Sequence, residues 1–145
     1  MPPTVSVVIC TYNRPAALAR AVASARAQRL PPGQDAEVLV VDNSPDRNAE
    51  AAIAAMAAGD APGSTPDLLP LRYLSVPEPN VSLARNAGVA ATSGDLLAFL
   101  DDDETAGEGW LAALVAVAEA SGADAVFGPV LPDFPDGPPD WDPAG

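Results

Sequence analysis

Val5-Ser6-Val7-Val8-Ile9-Cys10-Thr11-Tyr12-Asn13-Arg14-Pro15 is the stretch that decides the fold. The run Val5 to Cys10 predicts a buried strand. Thr11, Tyr12 and Asn13 follow it as a polar exit. Pro15 then predicts the first turn of a helix reaching about Gln28, with Asn13 or Arg14 at its cap. Neither G-x-G-x-x-G nor G-x-x-x-x-G-K-[ST] follows the strand, which argues against a dinucleotide-binding Rossmann domain and a P-loop enzyme. An aromatic ring with hydrogen-bonding neighbours suits a flat base better than a pyrophosphate.

Working outward, the same alternation repeats. Strands are predicted at Val38 to Val41, Leu71 to Val76, Leu96 to Leu100 and Ala125 to Leu131. Helices are predicted at Asn48 to about Ala58, with Ser44 or Asp46 as cap, at about Ser82 to Ala91, and at about Gly109 to Ala120. Residues 59–70 read as a Gly/Pro/Ser/Asp loop. Strand-helix alternation predicts an α/β fold: a mostly parallel sheet with helices on both faces and right-handed crossovers. From Pro132 the chain is rich in proline and aspartate and reads as an extended or disordered tail. Residues 1–131 are thus expected to form the domain and 132–145 the tail.

Composition narrows the chemistry. The 145 residues suffice for one core. Seven basic and twenty acidic residues give a formal charge of −13, which repels nucleic acid and anionic lipid. A nucleoside diphosphate would be repelled too unless a cation stood between. The chain has no histidine and one cysteine. This excludes Ser-His-Asp and Cys-His catalysis, histidine-bearing zinc sites and internal disulfides. No apolar run approaches the roughly 20 residues of a membrane span, and the N-terminus lacks a signal-like block. A cytoplasmic location is expected.

In open parallel sheets, ligands bind beyond the carboxyl ends of the strands. The polar clusters fall there: Thr11 to Arg14, Asp42-Asn43-Ser44, and Asp101-Asp102-Asp103-Glu104, with Arg85-Asn86 on the helix before the fourth strand. Adjacent carboxylates repel one another, and Mg²⁺ or Mn²⁺ relieves that repulsion through oxygen ligands. In extended backbone Asp101 and Asp103 would point to one side and face a single ligand. Each residue also has a plainer reading. The acidic run can be a solvated turn, Asp42 a strand end, Arg85 a solvated helix face, Tyr12 a cover for the sheet edge, Cys10 a small core residue and Trp110 a helix anchor.

Four segments together resemble glycosyltransferase family 2, a family of the GT-A fold. They are Val5 to Arg14, Val40 to Ser44, Ser82 to Gly88 and Gly94 to Asp103, in matching order and spacing. The resemblance implies a nucleotide pocket containing Thr11, Tyr12, Asn13, Asp42, Arg85, Asp101 and Asp102, with Asp42 meeting the base. It implies a D-x-D element in which Asp103, aided by Asp101, holds Mn²⁺ or Mg²⁺. The donor would be a nucleoside diphosphate sugar, most often UDP-linked. Its sugar would pass to a glycan, lipid or small-molecule acceptor by inverting displacement. The family's catalytic base lies in an acceptor half beyond the D-x-D element and matches no residue here. The chain is therefore expected to stop before that half, as a fragment. An exposed sheet edge would then favour a homo-oligomer. The alternative is a non-catalytic nucleotide-sugar-binding or interaction module on the same fold. A sugar-nucleotide pyrophosphorylase-like enzyme fits less well, because Thr11 to Pro15 lacks its glycines.

Overall fold

The computed structural model describes residues 1–59 and 67–139, apart from 135 and 138. Four strands and four helices alternate: β1 (Val5–Thr11), α1 (Pro15–Arg26), β2 (Ala36–Asp42), α2 (Glu50–Ala58), β3 (Leu71–Ser75), α3 (Val81–Ala91), β4 (Leu96–Phe99) and α4 (Trp110–Ser121). The sheet is parallel throughout, in the order β3-β2-β1-β4. The predicted α/β class and helices on both faces are present.

Strand alternation divides the core. Val5, Val7 and Ile9 of β1 and Val38 and Val40 of β2 pack with Leu18, Val22, Ile53, Leu111 and Val115, so α1, α2 and α4 cover this face. Val8, Leu39 and Val41 point the other way and pack with Ala84 of α3. That face has one helix, held close by Gly88. A Cβ there would lie 2.7 Å from Val8 Cγ1 and 3.3 Å from Val41 Cγ2.

Of the expected helix caps, that of α1 is present and that of α2 is not. Arg14 is the N-cap of α1 and makes no side-chain cap bond; Pro15 needs no N–H partner there. Neither Ser44 nor Asp46 caps α2. The Ala49 N–H at its start donates instead to Asp42 Oδ2 at 3.0 Å. Asn80 caps α3, its Oδ1 accepting from the backbone N–H of Ser82 and Leu83. The start of α4 is held by Gln28, whose Oε1 accepts from Leu111 N–H at 3.0 Å.

The fifth strand is not present. Residues 125–131 form no strand, and Phe127, Val130 and Leu131 are exposed. The run has strand-forming residues, but no neighbouring backbone pairs with it. Residues 132–134 have no regular structure. Pro135, Pro138, Asp140, Trp141, Asp142 and Pro143 lie outside the described residues.

Candidate functional site

The chain leaves β1 on one side to form β2 and β3, then returns on the other side as β4. The carboxyl ends of β1 and β4 diverge at this switch, and a cavity opens beside them on the α3 face. Its walls come from the exit of β1 (Cys10, Thr11, Tyr12, Arg14), the loop after β2 (Asn43), α3 (Val81, Ala84, Arg85) and the loop after β4 (Asp101, Asp102).

Thr11 is buried. Its Oγ1 donates to Asp102 Oδ2 at 2.8 Å and ties β1 to the acidic loop across 91 positions of sequence. Tyr12 is half exposed at the rim. Asn13 takes a left-handed backbone conformation, φ 54°, which asparagine tolerates better than most residues. Its N–H donates to Ser44 Oγ at 3.0 Å, and its Oδ1 accepts from Asn48. Asn13 thus shapes the turn and does not line the cavity.

The acidic run is a turn, closed by a Glu104 N–H to Asp101 carbonyl hydrogen bond of 3.1 Å. The extended backbone expected to align Asp101 with Asp103 is absent, and the three carboxylates take different sets of partners. Asp102 turns inward to Thr11 and Arg14. Asp103 turns to Arg14, whose Nη1 lies 2.9 Å from its Oδ2. Asp101 faces Arg85, Oδ1 to Nη2 3.7 Å. Arg14 and Arg85 thus each pair with a carboxylate of the cavity wall.

Among the described residues no three acidic, cysteine or histidine side chains converge as a cation cage. The set fits the other mode of binding Mg²⁺ or Mn²⁺. There one or two carboxylates bind the ion, and phosphate and water complete its shell. The side chains of Asp101 and Asp103, 63% and 58% exposed, are accessible for that purpose.

Asp42 lies elsewhere. By alternation it shares the face of Val38 and Val40, under α1 and α2, and it does not line the cavity. It is fully buried. Oδ1 accepts from Ser44 N–H at 2.9 Å, and Oδ2 from Ala49 N–H and Tyr73 O–H at 3.0 Å each. Burial first, then the hydrogen bond to Asp42 and its charge, push the Tyr73 phenol up to about 12. The neighbouring Asn43 is on the cavity wall instead. Its Nδ2 donates to the carbonyls of Val76 and Glu78, and its Oδ1 accepts from Asn80 N–H. It thereby fixes the loop that starts α3 and aims Arg85.

Cys10 packs against the α3 face and also borders the cavity. Burial pushes its thiol up, with Arg85 opposing and Asp101 and Asp102 assisting. Trp110 packs against the core as expected. The sequence reading missed Arg14 and Asn43 as wall residues. Strand parity could have found Asn43, since Asp42 continues the Val38-Val40 row and the next residue leaves it.

Comparison with known proteins agrees with this architecture. The profile described as Glycosyl transferase family 2 matches residues 6–144. The succinoglycan biosynthesis protein ExoM of Rhizobium meliloti (strain 1021) is 38% identical over 137 residues, covering 94% of this chain and 42% of that protein. The glycosyltransferase AglE of Haloferax volcanii is 35% identical, covering 93% and 42%. The chain thus spans about two-fifths of the length of these relatives. The crystal structure of S. aureus TarS 1–349 matches with a TM-score of 0.67 at 20% identity, over 90% of this chain and 38% of TarS. That likeness extends to the fold alone. The profile match, the strand order and the switch-point cavity together establish that the chain has a GT-A-like α/β fold and belongs to glycosyltransferase family 2.

Proposed function

We propose that this chain is the donor-binding portion of a glycosyltransferase that takes a UDP-linked or similar nucleoside diphosphate sugar together with Mn²⁺ or Mg²⁺. The observation that carries the reading is the gathering of Arg14, Arg85, Asp101 and Asp102 on the wall of one switch-point cavity with an aromatic rim. Tyr12 offers a ring to stack on the base. Thr11, Asn43 and Asp102 border the nucleoside, and Arg85 faces its phosphates. Asn13 and Asp42 support the pocket by fixing the turns beneath it. Asp103 and Asp101 are the residues that would hold the cation. When bound, that ion supplies charge neutralisation for a diphosphate leaving in an inverting displacement at the anomeric carbon. The acceptor is a glycan, a lipid or a small molecule.

Asp101 and Asp102, the carboxylates on the wall, each have an arginine partner, so the proposed reaction needs its base from another part of the protein. The same pairing favours a second reading, a nucleotide-sugar-binding module without transfer activity. Calorimetry of UDP with and without Mn²⁺ tests the shared core of both readings. Binding that requires Mn²⁺ and is lost in Asp103→Ala is expected. Equal binding without Mn²⁺, or none with it, would sink the proposal.

A further inference from the structure

Arg14 stands at the start of α1 with its guanidinium across the acidic turn. One nitrogen, Nη1, makes both contacts, 3.4 Å to Asp102 Oδ1 and 2.9 Å to Asp103 Oδ2. The other oxygen of Asp102 is held from below by Thr11. Asp102 is thus gripped on both sides, whereas Asp103 has Arg14 as its one ion-pair partner among the described residues. The Arg14 side chain is 57% exposed and borders the cavity. Exposed to this extent, its long stem has room to swing.

We propose that Arg14 is an exchangeable counter-ion: it holds the acidic turn closed in the free protein, and it moves to the donor's diphosphate when a divalent cation takes Asp103. This rests on the donor-and-cation reading above. The charges favour the exchange. A cation on Asp103 competes with Nη1 for the same carboxylate charge, and a guanidinium beside a divalent cation is repelled. Once displaced, Arg14 is already at the cavity wall, where a diphosphate is the nearest compatible anion and accepts from its planar fork. Cation and nucleotide therefore each remove an obstacle to the other, and their binding is reciprocally coupled. Neither is expected to bind well alone.

Arg14→Gln separates the two roles. Calorimetry of the whole chain would measure Mn²⁺ alone, UDP alone and UDP in saturating Mn²⁺, with circular dichroism confirming the fold. The exposed pair predicts that the variant binds Mn²⁺ alone about threefold more tightly than the wild type. The lost phosphate contact predicts UDP binding in Mn²⁺ weaker by about tenfold. The coupling factor between the two ligands shrinks accordingly. Mn²⁺ affinity equal to or below that of the wild type overturns the exchange, even where wild-type UDP binding depends on Mn²⁺. Gain of Mn²⁺ binding in the variant, with no Mn²⁺-dependent UDP binding in either protein, upholds the latch and removes the donor reading. No Mn²⁺ binding by either protein removes both. Arg14→Met, which removes the charge but keeps a long stem, serves if the glutamine variant does not fold. Tighter Mn²⁺ binding than wild type then supports the exchange, and unchanged binding overturns it.

Discussion

A buried carboxylate with three donors is a structural commitment, and Asp42 carries it. It joins the end of β2 to the start of α2 and to Tyr73 of β3. Removing it leaves two backbone N–H groups and a phenol without their partner, so Asp42→Ala should lower the unfolding free energy by about 2–4 kcal/mol in urea titrations. The same contact has a pH signature. The folded Tyr73 phenol, at about 12, lies above its unfolded value of about 10. Its contribution to stability is therefore complete below about pH 10 and is lost as pH rises through 12. In a Tyr12→Phe background Tyr73 is the sole phenol. Its phenolate absorbance should reach half-height near pH 12 in the folded protein; a midpoint near the unfolded value would show that the Asp42 contact is not made. At this scale the sequence disclosed which segments meet at the site but not where each side chain points. Asp42 and Asn43 are adjacent and both polar. Only knowledge of which strand face α3 covers tells them apart. The turn at Asp101 to Glu104 was legible only as one of two readings, because its closure depends on a backbone hydrogen bond and on Arg14 from another element.

Among the elements, α3 carries the most functional weight for the least packing. Among the described residues it is the one helix on its face of the sheet, and it presents Val81, Ala84 and Arg85 to the cavity. The close approach at Gly88 sets its height. Gly88→Ala would place a methyl group 2.7 Å from a β-branched core residue that cannot swing aside. This should cost about 1–3 kcal/mol and lower the thermal midpoint. The lifted helix should also weaken nucleotide binding in calorimetry. Unchanged stability would mean that α3 is held by its loops and not by this contact. The order of the elements from β1 to α4 was legible, since β-branched runs and alanine-rich stretches differ in period and composition. The failed fifth strand marks the limit. Val126, Phe127, Val130 and Leu131 have the composition of a strand, yet pairing needs a partner backbone at the right place. Helix caps were similarly half legible. Asn80 caps locally, whereas α2 and α4 borrow Asp42 and Gln28 from distant positions.

At the level of the molecule, β4 ends the sheet and pairs with β1 alone. Its Leu97 and Phe99 are 40% and 47% exposed on the face shared with Val8. An apolar edge strand is a template for another strand. We therefore expect self-association of this chain through β4, visible in sedimentation velocity as a concentration-dependent species that Phe99→Lys suppresses. A wild-type chain that stays monomeric at all concentrations would refute this. Among the described residues no helix is long and apolar enough to cross a membrane. The overall α/β class was readable because parallel sheets demand alternating elements, but strand order follows from the crossover that returns β4 to the far side of β1.

That crossover bears on synthesis at the ribosome. β1 precedes the other described strands and is an inner strand, and its partner on one side, β4, is about ninety residues away. At translation speeds of about 5–20 residues per second, a nascent β1 waits many seconds with one flank unclaimed. Its valines and isoleucine are then open to chaperones or to wrong partners. β1 is thus made long before its second neighbour in the sheet.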